Sequence, residues 1–219
     1  MSKNQPNKRT VYVIGGSKDY ANWMQAKIIN DMEKADLVVL TGGEDVDPSW
    51  YKKDAHPFTS SNIERDYFEV KEFQKALKLK KHMIGICRGA QLMCVMNGGI
   101  LVQHQANPYF LHRLHTFDDK EGILTTSLHH QAAFPFDLPK DRCKILAWTN
   151  GISSFHYSQS WREELNPPQE CEIVFYPESR CLGIQGHPEI MFGRNKQKDF
   201  SNSIRYYQEL LDKHLNNEL

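Results

Sequence analysis

Apolar positions along the chain fall into two alternating spacings. Val11 to Ile14 is a short, largely β-branched run closed by Gly15 and Gly16, and Leu37 to Leu40 is another, closed by Gly42 and Gly43; both read as buried strands. Between them, Trp23, Ile28, Ile29 and Met32 predict an amphipathic helix over Tyr20 to Met32. Tyr67, Phe68, Val70, Phe73 and Leu77 predict a second over Ile63 to Leu79. His82 to Ile86 follows as a strand and Gly89 to Met96 as an apolar helix. Ile100 to Val102, Ile145 to Trp148, Ile173 to Tyr176 and Cys181 to Ile184 are further strand candidates, and Asp199 to His214 returns to helix. Strands alternating with helices predict an α/β domain on a mainly parallel sheet, where function gathers at the carboxyl ends of strands.

Neither repeats, low-complexity tracts nor Gly/Ser linkers interrupt this pattern, and 219 residues suit one core. Residues 1–9 read as a flexible tail and 10–219 as a single domain. Lysine plus arginine and aspartate plus glutamate number 27 each, which removes the electrostatic case for nucleic acid or an anionic membrane and leaves a small molecule as the expected partner. No stretch approaches roughly 18 apolar residues, and the polar N-terminus lacks the apolar core of a signal peptide. The expectation is a soluble cytoplasmic protein. Five scattered cysteines without CxxC spacing argue against a disulfide framework or a zinc site and for reduced thiols.

The most informative string is Gly85-Ile86-Cys87-Arg88-Gly89, at the junction of a predicted strand and a predicted helix. This is the pattern of a nucleophile elbow with sulfur in place of oxygen. Glycines two positions to either side relieve crowding at a sharp turn, and the helix N-terminus supplies N–H groups and positive dipole that favour a thiolate. The plainer reading of Cys87 is a buried thiol in an ordinary turn. Gly186-His187-Pro188-Glu189, after the strand candidate Cys181 to Ile184, changes the balance. A nucleophilic cysteine needs a base and the base an orienting acceptor, so His187 with Glu189 completes the inventory of a Cys-His-Glu triad.

These residues resemble a known family. GICRGAQ at Gly85 to Gln91 and GHPE at Gly186 to Glu189 are similar to motifs of the class I glutamine amidotransferases. Within that group, Thr41-Gly42-Gly43-Glu44-Asp45-Val46-Asp47-Pro48 with Tyr51, Arg65-Asp66-Tyr67-Phe68-Glu69, and Ser127-Leu128-His129-His130-Gln131 resemble the γ-glutamyl hydrolases of the peptidase C26 branch. The resemblance implies a flavodoxin-like sheet with flanking helices, a nucleophile Cys87, and an oxyanion hole made by the backbone N–H groups of Gly43 and Arg88. It further implies recognition of the glutamyl α-amino and α-carboxylate groups around Gln91, Ser127 and His129, with neither cofactor nor metal. A glycine pair at the end of a strand allows the close backbone approach such a donor needs.

Asp45 and Asp47 read as turn or cap residues before Pro48. Arg65, Asp66 and Glu69 share one predicted helix and read as salt-bridged scaffold outside the catalytic set. The chain departs from the family in three places. A strand and loop usual between Met32 and Leu37 are expected to be missing, leaving one sheet edge pared down; Thr126 replaces an asparagine; and the segment from Gln103 to Lys120 is individual. Its His112 and His115 are expected near one another on a helix, flanking the substrate opening rather than holding a metal. Specificity is expected from loops at Trp50, Tyr51, His104 to His115 and Phe155 to Trp161. Three functions fit these residues: a free-standing γ-glutamyl amide hydrolase, a glutaminase subunit passing ammonia to a separate synthetase, and a noncatalytic ligand-binding member. The macromolecular partner is then a second copy of the chain or a synthetase.

Overall fold

The computed structural model describes residues 8–15, 17–105, 111–117, 122–126, 128–149, 157–160, 163–164, 169–193 and 198–219. Fourteen strands lie among the described residues: β1 (Thr10–Ile14), β2 (Lys27–Ile28), β3 (Leu37–Leu40), β4 (His82–Ile86), β5 (Ile100–Val102), β6 (His104–Gln105), β7 (Leu111–Thr116), β8 (Ile123–Thr126), β9 (Ala132–Phe134), β10 (Lys144–Thr149), β11 (Tyr157–Ser160), β12 (Glu163–Glu164), β13 (Glu170–Tyr176) and β14 (Cys181–Ile184). The helices are α1 (Asp19–Asn22), α2 (Ile63–Lys78), α3 (Arg88–Met96), α4 (Pro188–Gly193) and α5 (Lys198–Leu215).

Nine strands form one sheet in the order β2-β1-β3-β4-β14-β13-β10-β7-β8. From β2 to β14 every neighbouring pair is parallel, and from β14 to β8 every pair is antiparallel. The parallel half is the expected α/β core; the antiparallel half extends it. Smaller sheets, β12-β11-β6 and β5-β9, lie beside it.

Helices cover both faces of the parallel half, which explains why its strands are continuously apolar. Side chains alternate across a strand, so Leu37 and Val39 join one core with Trp23, Met191, Tyr207 and Leu211. Val38 and Leu40 face the opposite core with Phe73, Leu92 and Met93. The helix α5 reaches the first core through Phe200, Ile204, Tyr207 and Leu211, a helical stripe. On α2, the Asn62 side chain caps the N-terminus by accepting from the Arg65 N–H, with Glu64 and Asp66 in the first turn and Lys75 and Lys78 in the last.

Two expectations are corrected. The helix expected over Tyr20 to Met32 is a single turn, α1. Gln25 then takes φ 52°, and the Lys27 and Ile29 N–H groups donate to the carbonyls of Arg9 and Val11. Sheet-edge hydrogen bonds therefore win over a weak helical spacing, while Trp23 and Met24 are buried in the core. The two-residue β2 therefore lies within the span expected to be helix and forms the edge of the sheet, and Met32–Lys34, ahead of β3, is a 3₁₀ turn. His112 and His115 lie on β7, not on a helix. Among the described residues no helix is long and apolar enough to cross a membrane.

Candidate active site

Three adjacent parallel strands, β3, β4 and β14, end at one level, with Leu40 opposite Gly85 and Ile184 opposite Ile86. The loops leaving them carry Gly42 and Gly43, Cys87, and His187. Cys87 is the turn itself: it has φ 52° and ψ −111°, a region that a residue with a β-carbon enters only under strain of about 1–3 kcal/mol. Its N–H donates to the Ile184 carbonyl at 2.8 Å, and its carbonyl accepts from Ala90 and Gln91 at 3.0 and 3.1 Å. The elbow is fixed at both ends. A β-carbon on Gly85 would overlap the Gly89 backbone, and one on Gly89 would overlap the Leu40 carbonyl, so both glycines are required by backbone packed on backbone.

His187 is buried, and its N–H donates to the Thr126 hydroxyl at 2.9 Å. Its ring Nδ1 meets Glu189 Oε1 at 2.6 Å; a carboxylate only accepts, so Nδ1 carries the proton. The ring Nε2 is buried with no hydrogen-bond partner among the described residues. Cys87 and His187 flank Gly42 together: a β-carbon placed there would lie 3.3 Å from His187 Cε1 and 3.5 Å from Cys87 Cβ. Burial works against a charged imidazole, but the Cys87 sulfur and the Glu189 carboxylate outweigh it and raise His187 to about 10. The ring is cationic at neutral pH, and an imidazolium is the counterion a thiolate nucleophile requires.

The loop after β3 is held from two sides. The Gly42 N–H donates to the Tyr20 hydroxyl at 3.1 Å, and the Gly42 carbonyl accepts from Arg65 Nη2 at 2.8 Å. Burial and the charge of Glu189 push Tyr20 up to about 12, so the phenol stays neutral. Arg65 Nε donates to Glu69 at 2.8 Å, and the same guanidinium pairs with Glu44. The second Glu69 oxygen pairs with Arg88, which also holds Asp66. Arg65, Asp66 and Glu69 thus form ion pairs, as their shared helix suggested. Neither Gly43 nor Arg88 gives its backbone N–H to another group among the described residues.

Gln91 and His129 converge on one carbonyl. Gln91 Nε2 donates to the Gln131 carbonyl at 2.8 Å and to Gln185 Oε1 at 3.3 Å. His129 Nδ1 donates to the same carbonyl at 2.8 Å, and burial holds the ring below its usual range and neutral. Ser127 lies outside the described residues. Asp45 accepts from the Ser60 N–H at 2.8 Å and from His130 Nε2 at 3.0 Å; Asp47 caps the 3₁₀ turn Pro48–Tyr51. Asp47 thus serves the turn, as read from the sequence, whereas Asp45 ties this loop to Ser60 and His130 instead.

His112 pairs with Glu172 at 2.9 Å, and His115 stacks on Trp148. They occupy opposite faces of β7 because three residues along a strand invert the side chain. No group of three or more His, Cys, Asp or Glu among the described residues is placed to hold a metal. Of the expected specificity loops, residues 106–110, 155–156 and 161 fall outside the described residues. Sequence reasoning missed Tyr20 and the contact of Arg65 with Gly42. Thr126 was visible only as a departure from a pattern.

The peptidase C26 family profile matches residues 20–132. Protein NtpR of Enterococcus hirae is 31% identical over 189 residues, covering 75% of this chain and 71% of that protein. The glutamine amidotransferase-like protein YvdE of Lactococcus lactis subsp. lactis is 39% identical over 172 residues, covering 74% and 69%. A solved glutamine amidotransferase from Thermotoga maritima superimposes with a TM-score of 0.54 at 14% identity, covering 98% of this chain and 94% of that one; it shares the fold. With the fold, the sequence profile and the two relatives in agreement, the chain belongs to the peptidase C26 branch of the class I glutamine amidotransferase superfamily.

Proposed function

We infer that the protein is a cysteine-dependent hydrolase that cleaves a γ-glutamyl amide to glutamate and a free amine. The observation that carries this reading is the placement of Cys87 and His187 on neighbouring strand ends, with Glu189 on His187 Nδ1 at 2.6 Å. In this mechanism the Cys87 thiolate adds to the γ-carbonyl carbon, and the negative charge on the carbonyl oxygen rests on the N–H groups of Gly43 and Arg88. The tetrahedral adduct collapses as His187 gives its Nε2 proton to the departing amine, leaving a glutamyl thioester. The neutral imidazole then takes a proton from water, whose hydroxide attacks the thioester and releases glutamate and the thiolate. Glu189 orients the ring throughout, and Gln91, Ser127 and His129 surround the α-amino and α-carboxylate groups of the substrate.

Mass-spectrometric product analysis of the purified protein with glutamine and a panel of γ-glutamyl amides tests the reading. Glutamate together with an amine other than ammonia is the expected product. Turnover of glutamine alone would favour a subunit that donates ammonia to a synthetase, the reading suggested by the amidotransferase names of the relatives. Silence toward every amide would sink both.

The proton on His187 also sets a pH dependence. The kcat/KM profile reports the free protein's essential acid, so it should hold up to about 10 and fall above it, as the imidazolium that protonates the leaving amine is lost. Glu189→Gln removes one of the two groups that raise this value. Its alkaline fall should move to lower pH, and an unmoved limb would separate Glu189 from the mechanism.

A further inference from the structure

A glycine pair is a poor mount for a catalytic dipole, because glycine is the residue least able to hold its own backbone still. The peptide between Gly42 and Gly43 solves this by its planarity. In a trans peptide the Gly42 carbonyl and the Gly43 N–H belong to one rigid plate and point in opposite directions. Whatever grips the carbonyl also aims the N–H.

Arg65 Nη2 grips that carbonyl at 2.8 Å. Gly43 itself sits at φ 152°, and any β-carbon there would overlap the Arg65 guanidinium, so the arginine fills the space beside the glycine as well as binding its neighbour. The arginine has little freedom of its own. Its Nε is held by Glu69 at 2.8 Å and it pairs with Glu44. Glu69 is fully buried, and its other oxygen pairs with the side chain of Arg88. Arg88 is also the residue whose backbone supplies the second oxyanion donor. A single carboxylate therefore ties the loop after β3 to the first turn of α3.

We propose that Arg65 is a positioning residue that aims the Gly43 N–H by holding the Gly42 carbonyl, with Glu69 keeping this donor in register with the Arg88 N–H. The assignment rests on the acyl-transfer reading above. It concerns the stabilisation of charge on the substrate oxygen and not the nucleophilicity of sulfur, which makes it separable by experiment. Iodoacetamide alkylates a thiolate by displacing iodide at carbon and forms no oxyanion.

The test compares wild type, Arg65→Met and Arg65→Lys on the best γ-glutamyl amide and with iodoacetamide. In Arg65→Met, kcat should fall on the order of 100-fold with KM within about threefold, while alkylation of Cys87 keeps the wild-type rate. Arg65→Lys retains a cation between Glu44 and Glu69 but lacks the fork that also serves the carbonyl. It should show the same split to a smaller degree, and it carries the test if the methionine variant fails to fold. Wild-type kcat in either variant at unchanged Tm, or parallel loss of turnover and alkylation, would overturn the assignment. An inactive wild type would bring down the hydrolase reading and this assignment together; an active wild type with an equally active variant brings down only this one.

Discussion

Cys87→Ala is expected to abolish glutamate release, lowering kcat by at least about 10⁴-fold, as losses of a sole nucleophile do. The backbone N–H groups of Gly43 and Arg88 and the pair His187–Glu189 all remain in the variant, so on the proposed mechanism what survives measures binding and electrostatics without covalent chemistry. Folding should be little affected. Alanine keeps a β-carbon at φ 52° and so inherits the same backbone strain, while losing one sulfur. Cys87→Gly removes the strain as well, and should melt above the alanine variant by the equivalent of about 1 kcal/mol while remaining equally inactive. A residual rate within about tenfold of wild type in Cys87→Ala would exclude thioester catalysis.

The largest stability effect is expected from Arg88→Met. Arg88 is 1% exposed, and its partners Asp66 and Glu69 are fully buried. Removing the arginine takes the cation from one oxygen of each of two carboxylates in a water-excluded site, leaving Glu69 to Arg65 and Asp66 to the Asp47 N–H, a class of change that costs about 3–5 kcal/mol. In a chain of this length that corresponds to a fall in Tm on the order of 10 °C. The sign of its pH dependence follows. Burial already raises Asp66 above the usual carboxylate range, against the opposing pull of the Asp47 N–H and Arg88; without Arg88 the rise is larger. A buried carboxyl with a raised value folds best when protonated, so the deficit should shrink as pH falls and widen toward neutrality. The double variant Arg88→Met with Glu69→Gln should recover part of the loss. Thermal scans at two pH values check both statements, and a deficit that grows toward acid would refute them.

The parts of the fold legible in the sequence were those buried on both sides. Leu37 to Leu40 and Cys181 to Ile184 are apolar without interruption because helices cover each face, and such runs have few alternatives once glycines close them. Strand β7 reads Leu-His-Arg-Leu-His-Thr, with polar residues taken up by partners such as Glu172 and Trp148, so its periodicity does not show. The segment after Tyr20 misled for a related reason: Trp23 and Met24 are core residues of an irregular turn, and burial alone resembles a helix face. At the candidate site, Cys87, His187 and Glu189 were legible because a thiol at a strand-to-helix turn and an imidazole with a nearby carboxylate are residue types that the proposed chemistry demands. Tyr20 and Arg65 could not be found that way. Each contributes by touching the backbone of Gly42, and a contact with a peptide group leaves no mark on the identity of the residue it touches.

The abbreviated β2 has a bearing on colloidal behaviour. An outermost strand presents a ladder of unclaimed amide groups onto which a neighbouring polypeptide can zip, and the longer and flatter that ladder the greater the hazard. Here the ladder has two rungs, and one of them, Lys27, is solvent-exposed and charged. An incoming strand would find almost nothing to pair with and a cation in its path. This margin of the sheet is thereby poorly suited to seeding fibrils or precipitates when the protein is crowded.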